Sequence, residues 1–165
     1  MSYFKPLLYL LMVYFSFDME LYLSEYLYSL WGRDEPMRHV RFPEGEYLYH
    51  TVFSLMTRRP PGVSPIDRGN LTIALPAPRR KPIPGTSDGK SGKPLYYPGK
   101  DPRYNNYIGK VGQQFIERKV KGMFYAHCNQ FVDEQVNTYG QSISEALYIF
   151  MCRFHITGVD HETLR

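Results

Sequence analysis

Residues 105–165 read NNYIGKVGQQFIERKVKGMFYAHCNQFVDEQVNTYGQSISEALYIFMCRFHITGVDHETLR. This is the longest patterned part of the chain, and its reading decides the fold class. Ile108, Val111, Phe115, Val120, Phe124, Cys128, Phe131 and Val136 recur at helical spacing, which predicts one long amphipathic helix starting near Asn105, with Met123 and Ala126 widening its apolar stripe. Lys110, Gln114, Arg118, Lys121 and Gln135 fall largely on other faces. Gly109, Gly112 and Gly122 weaken the helix, so a kink or break is expected near Gly122. Tyr139-Gly140 ends it, because glycine accepts the left-handed conformation that closes many helices. Ser142, with Glu145 three residues on, makes a capping-box pattern for a second helix carrying Ile143, Ala146, Leu147, Ile149, Phe150, Met151 and Phe154. That helix is apolar on nearly every side and is expected at the centre of the core. A turn at Thr157 to Asp160 leads into a third helix.

Working back from this unit, the chain becomes short apolar segments separated by proline, glycine and arginine. Leu71 to Leu75 is the clearest strand, β-branched at Thr72 and Ile73 and stopped by Pro76. Glu44 to Met56 carries Leu48, Val52, Leu55 and Met56 on one helical face, with Arg58 and Arg59 following where cations suit a helix C-terminus. Arg38 to Phe42 is a short strand candidate, and Glu20 to Trp31 reads as a short strand turning into a helix that ends at Gly32. Residues 1–18 hold an apolar run too short for a membrane span and without a signal-peptide cleavage site. They are either an element packed on the core or an extension upstream of a start at Met19, and the second reading is preferred. The expected organisation is therefore an extension at 1–18, a small α/β region at 19–76, a basic Pro/Gly-rich connector at 77–104 and the helical unit at 105–165. Together they make an α+β, mostly helical chain that forms one domain.

Charge is unevenly placed. Residues 58–121 hold 14 Lys and Arg against 4 Asp and Glu, a local +10, and the remainder holds 6 against 12, or −6. Such asymmetry points to a polyanionic partner, with a solvated basic loop as the plain alternative. Arg58, Arg59, Arg79, Arg80, Lys81, Lys110, Arg118, Lys119 and Lys121 are the candidate phosphate-binding residues, and Tyr96, Tyr97, Tyr104 and Tyr107 are interleaved with the connector's cations.

The helix, turn, helix outline around Gly140 invites a DNA-reading interpretation, but the second helix has Arg153 as its only cation. His127-Cys128 and Cys152-x-x-His155 bring metal-ligating types near each other, yet adjacent residues such as His127 and Cys128 point about 100° apart on a helix. No metal or cofactor is assigned. The chain has no nucleophile elbow, phosphate-binding glycine loop, dinucleotide fingerprint or zinc-protease motif, so a non-enzymatic reading is preferred. Two cysteines make no disulfide framework and favour a reducing, cytoplasmic setting without a membrane partner.

The tracts Asn70-Leu-Thr-Ile-Ala-Leu-Pro, Tyr104-Asn-Asn-Tyr-Ile and Phe150-Met-Cys-Arg-Phe-His-Ile resemble bacterial proteins associated with phage-like or transposon-like elements, over Met19 to Arg165. That group has no assigned activity, so no functional residue transfers. By association the resemblance implies a role with nucleic acid. DNA or RNA, bound through its phosphate backbone, is the expected partner, and a protein-protein adaptor is the alternative.

Overall fold

The computed structural model describes residues 12–76, 85, 87, 89, 90, 92 and 102–164. The order of elements is β1 (Met12–Phe17), α1 (Leu21–Trp31), β2 (Gly32–Arg33), β3 (His39–Val40), α2 (Tyr47–Leu55), β4 (Leu71–Pro76), α3 (Lys110–Tyr139), α4 (Ile143–Arg153) and α5 (His161–Leu164). The chain is α+β, with a small N-terminal sheet and a long C-terminal helix.

The four strands lie in the order β1-β4-β3-β2. β4 is the inner strand: it runs antiparallel to β1, from Met12 opposite Pro76 to Phe17 opposite Leu71, and parallel to β3 at Val40 and Ile73. Leu71, Ile73, Ala74 and Leu75 are all buried, as a strand covered on both faces requires. Pro76 closes it at the terminal position, where a missing N–H is tolerated.

Residues 12–17 therefore correct the preferred reading of 1–18 as an extension. Phe15 and Phe17 are each 1% exposed, and Ser16 donates its N–H to the Pro65 carbonyl while its hydroxyl accepts from the Arg68 N–H. Asn70 holds the turn after β1, accepting from the Met19 N–H at 2.9 Å and donating to the Met19 carbonyl at 2.7 Å. These partners come from a segment about fifty residues away, so nothing local in the sequence signals them.

α1 forms where Glu20 to Trp31 was read as strand then helix: the strand lies upstream, and the helix occupies the whole stretch up to Gly32. β3 and α2 fall inside their expected segments. The long helix starts at Lys110, five residues later than expected, because Tyr107 exchanges both backbone hydrogen bonds with Thr57 and keeps residues 105–109 out of the helix. It is assigned as one continuous α-helix through Gly122, without the expected break. Gly140 ends it with φ of 67°, and Ser142 and Glu145 make the full reciprocal capping box for α4.

One apolar cluster runs from Phe15 to Ile156. Its centre is aromatic: the Phe124 ring lies 5.2 Å from Tyr22, 5.2 Å from Tyr26 and 5.6 Å from Phe150, all edge to face. Two burial expectations need correction. α3 is buried along Ile116, Val120, Phe124, Cys128 and Phe131, whereas Val111 is 81% and Phe115 38% exposed. Phe115 sits about 100° around the helix from Ile116, so only one of the two neighbours can face the core. α4 buries Ala146, Leu147 and Phe150, packs Ile149 and Met151 at the margin of the core, and leaves Ile143 and Tyr148 exposed because one of its sides is uncovered. The connector at 77–104 lies mostly outside the described residues.

The seam between β1 and β4 admits no side chain at Gly69. A Cβ there would stand 2.1 Å from the Phe17 carbonyl carbon and 2.2 Å from the Asp18 nitrogen. Gly69→Ala is expected to destabilise the protein by about 1–3 kcal/mol, as other forced overpacking does. That corresponds to roughly 2–4 °C of melting midpoint per kcal/mol for a chain of this size. A thermal melt at or above that of the parent would show that β1 does not pack as described.

Candidate functional site

The candidate cations fall into three groups. Arg58 and Arg59 lie beyond the Met56 cap of α2 and are exposed, too far along for the helix-dipole role their position first implied. The Thr57–Tyr107 bridge instead sets them beside the strand-like approach to α3. On that approach the Arg68 guanidinium lies over the Tyr107 ring at 4.6 Å, and Arg103 lies 5.9 Å from the Tyr104 ring.

Lys110 is the first residue of α3 itself. That helix begins without a side-chain cap, at Gly109, and has no acidic residue in its first turn. The opening amides and the positive end of the dipole are thus left beside cations, an arrangement that disfavours more positive charge and favours an anion. Arg58, Arg59, Lys110 and Arg118 make no ion pair or ring contact among the described residues.

Farther along α3 the candidates diverge. Arg118 and Lys119 are exposed, and the Lys119 ammonium lies 5.3 Å from the Phe115 ring and 5.8 Å from the Tyr47 ring of α2. Lys121 points elsewhere: its Nζ bonds Glu20 Oε1 at 3.0 Å, and that bond first of all raises its pKa. Glu117 accepts from the Glu20 N–H, so Lys121 and Glu117 together tie α3 to the start of α1. Lys121 lines a cleft of about 320 Å³ with Glu20, Tyr22, Tyr125 and Val159. Arg79, Arg80 and Lys81 lie outside the described residues, so the structure brings together Arg58, Arg59 and Lys110 at one end of α3 and Arg118 with Lys119 on its exposed side.

Tyr47 was not signalled by the sequence as a site residue, since its neighbour Lys119 is on another helix. The exposure of Phe115 could have been anticipated only by fixing the phase of α3 on Ile116.

The histidine and cysteine pairs do not converge. Cys128 is buried in the core and Cys152 is exposed. Among the described residues no three His, Cys, Asp or Glu side chains come together as metal ligands. His127 is a packing residue: Nδ1 is 2.8 Å from the Tyr26 hydroxyl, and its ring meets Phe150 and Phe154 edge to face. Burial, then the Arg153 charge, lowers its pKa below that of an ordinary histidine, while burial pushes Tyr26 up to about 12. α4, the would-be DNA-reading helix, keeps Arg153 as its one cation, and Arg153 lies near Phe131 and Phe154.

The chain matches no family model, no curated protein and no solved structure. Among the described residues no helix is long and apolar enough to cross a membrane.

The depressed histidine makes a signed prediction. Unfolded chain takes up the proton near pH 6.5, whereas the native state resists it, so the contribution of His127 is complete above about 6.5 and falls away as pH drops toward the lower native value. Urea midpoints should therefore decline as pH falls through and below about 6.5, and His127→Gln should flatten that decline. An equally steep decline in the variant would show that His127 is not the responsible group.

Proposed function

We propose that this protein is a non-enzymatic nucleic-acid-binding or regulatory protein that contacts the phosphate backbone of DNA or RNA. One observation carries the reading. The Thr57–Tyr107 bridge draws Arg58 and Arg59 beside residues that run directly into an uncapped helix N-terminus free of first-turn acids, with Lys110 at its first position. Helix amides, dipole and exposed cations then favour the same ligand charge. Arg118 and Lys119 continue the positive surface along α3, and Glu117 is the only acidic residue between Lys110 and Val132. The resemblance to mobile-element proteins leans the same way. A cytoplasmic location fits two cysteines that are both unpaired.

Phosphate contacts of this kind release counterions, at about 0.7–0.9 in the log–log salt slope per contact. Fluorescence anisotropy on labelled strands and duplexes should give tight binding at low salt that weakens steeply as salt rises. Arg58→Gln with Arg59→Gln should lower the slope by about 1–2 without unfolding the chain. Absence of binding at low salt would remove the proposal. The second reading, a protein-protein adaptor, is favoured by Ile143 and Tyr148, which are 47% and 64% exposed on α4. It would be supported if nucleic acid left anisotropy unchanged and Tyr148→Ala abolished capture of a protein partner.

A further inference from the structure

Two aromatic rings stand in solvent beside the exposed cations of α3, and they carry information that the cations alone do not. Phe115 and Tyr47 are 38% and 63% exposed, on two different helices. Lys119 reaches both rings, at 5.3 Å and 5.8 Å, so the rings and the ammonium make one patch. Val111, 81% exposed, lies one turn before Phe115 on the same side, and Arg118 follows Phe115 by three residues. The phase of α3, which buries Ile116, Val120 and Phe124, turns Val111 and Phe115 outward, and there they adjoin Tyr47 of α2 to make one apolar patch among cations. On the α3 side the patch is cationic, since Glu117 is turned away toward Glu20 and the next acidic residue on that helix is Asp133, while on the α2 side exposed Glu46 precedes Tyr47.

We infer that Tyr47, Phe115 and Lys119 form a stacking platform that selects single-stranded nucleic acid over duplex. The inference rests on the phosphate-binding reading above and adds which form of nucleic acid is bound. In a duplex the base faces are stacked on one another and unavailable to a protein ring, whereas unpaired bases offer both faces. Bases stack on the open faces of Phe115 and Tyr47, and the adjoining phosphates meet Lys119 and Arg118. An acidic peptide would satisfy the cations but would leave the two rings without planar partners. Arg58, Arg59 and Lys110 contact phosphates in either form and contribute affinity without choosing between them.

The test is anisotropy at low salt with labelled oligothymidine, oligouridine and a DNA duplex of equal length. Polyglutamate serves as the acidic competitor. Single strands should bind more tightly than duplex, and Phe115→Ala and Tyr47→Ala should each weaken them roughly tenfold, with duplex binding unchanged. Phe115→Trp, which keeps a ring at the position, should retain single-strand binding, and circular dichroism of each variant checks that the fold persists. Arg58→Gln with Arg59→Gln should weaken strands and duplex alike. Comparison of oligothymidine with oligouridine separates DNA from RNA as the strand preferred. Duplex binding equal to that of single strands, with both ring variants behaving as the parent, would overturn this inference and leave the phosphate-binding reading in place. Polyglutamate displacing the strands at lower charge concentration than oligothymidine itself would also overturn it. Failure of every nucleic acid to bind would overturn both.

Discussion

The packing of Phe124 against Tyr22, Tyr26 and Phe150 is the interaction on which the rest of the structure depends. These rings come from α1, α3 and α4, and edge-to-face contacts between them add to the large apolar area each one buries. With Phe124 fixed, the phase of α3 is fixed as well. Ile116 and Val120 then face the core two turns and one turn earlier, and Cys128 and Phe131 face it later. The same choice puts Val111 and Phe115 outside. A helix that must satisfy one aromatic junction in its middle thereby presents the outer face of its N-terminal half, with Lys110, Arg118 and Lys119, to solvent.

In the sheet, β4 is the hydrophobic inner strand, and its neighbour β1 adds to the ladder two polar ties from Ser16 to Pro65 and Arg68, with Asn70 holding Met19 just beyond it. The segment that leads into α3 is tied to the end of α2 by the Thr57–Tyr107 bridge, and α3 itself reaches the start of α1 through Glu20, Glu117 and Lys121. An exposed pair such as Lys121–Glu20 contributes little stability by itself, about 0–1 kcal/mol. Its effect is to set the approach of two helices whose burial supplies the energy.

Local signals were legible in the sequence and long-range ones were not. Gly140 and the Ser142–Glu145 box could be read because each is decided within a few residues by backbone conformation and one side chain. β4 was legible because a short β-branched run ending in proline has few alternatives. β1 was not, because its partners lie 51 and 52 residues away at Asn70 and Arg68. The start of α3 is hidden for the same reason, since Tyr107 is withheld from the helix by Thr57, 50 residues earlier. Phe115 and Ile116 are adjacent and both apolar, so periodicity alone could not choose which faces inward. At the candidate site the cations were evident from charge asymmetry, whereas Tyr47 became part of it only through the packing of α2 on α3. Sequence position groups Lys121 with the other cations, but an ion pair to Glu20, at the N-cap of α1, gives it another task.

One face of α3 builds the core, and under the proposed function the outer face of its N-terminal half is the surface for a polyanion. Amide hydrogen exchange with and without oligothymidine tests that division most directly. Added protection is predicted at residues 57–59, around Tyr47 and along the first turns of α3 from Lys110 to Lys119, with residues 124–154 unchanged. Protection concentrated on α4 at residues 143–153, or no change anywhere in the chain, would contradict it.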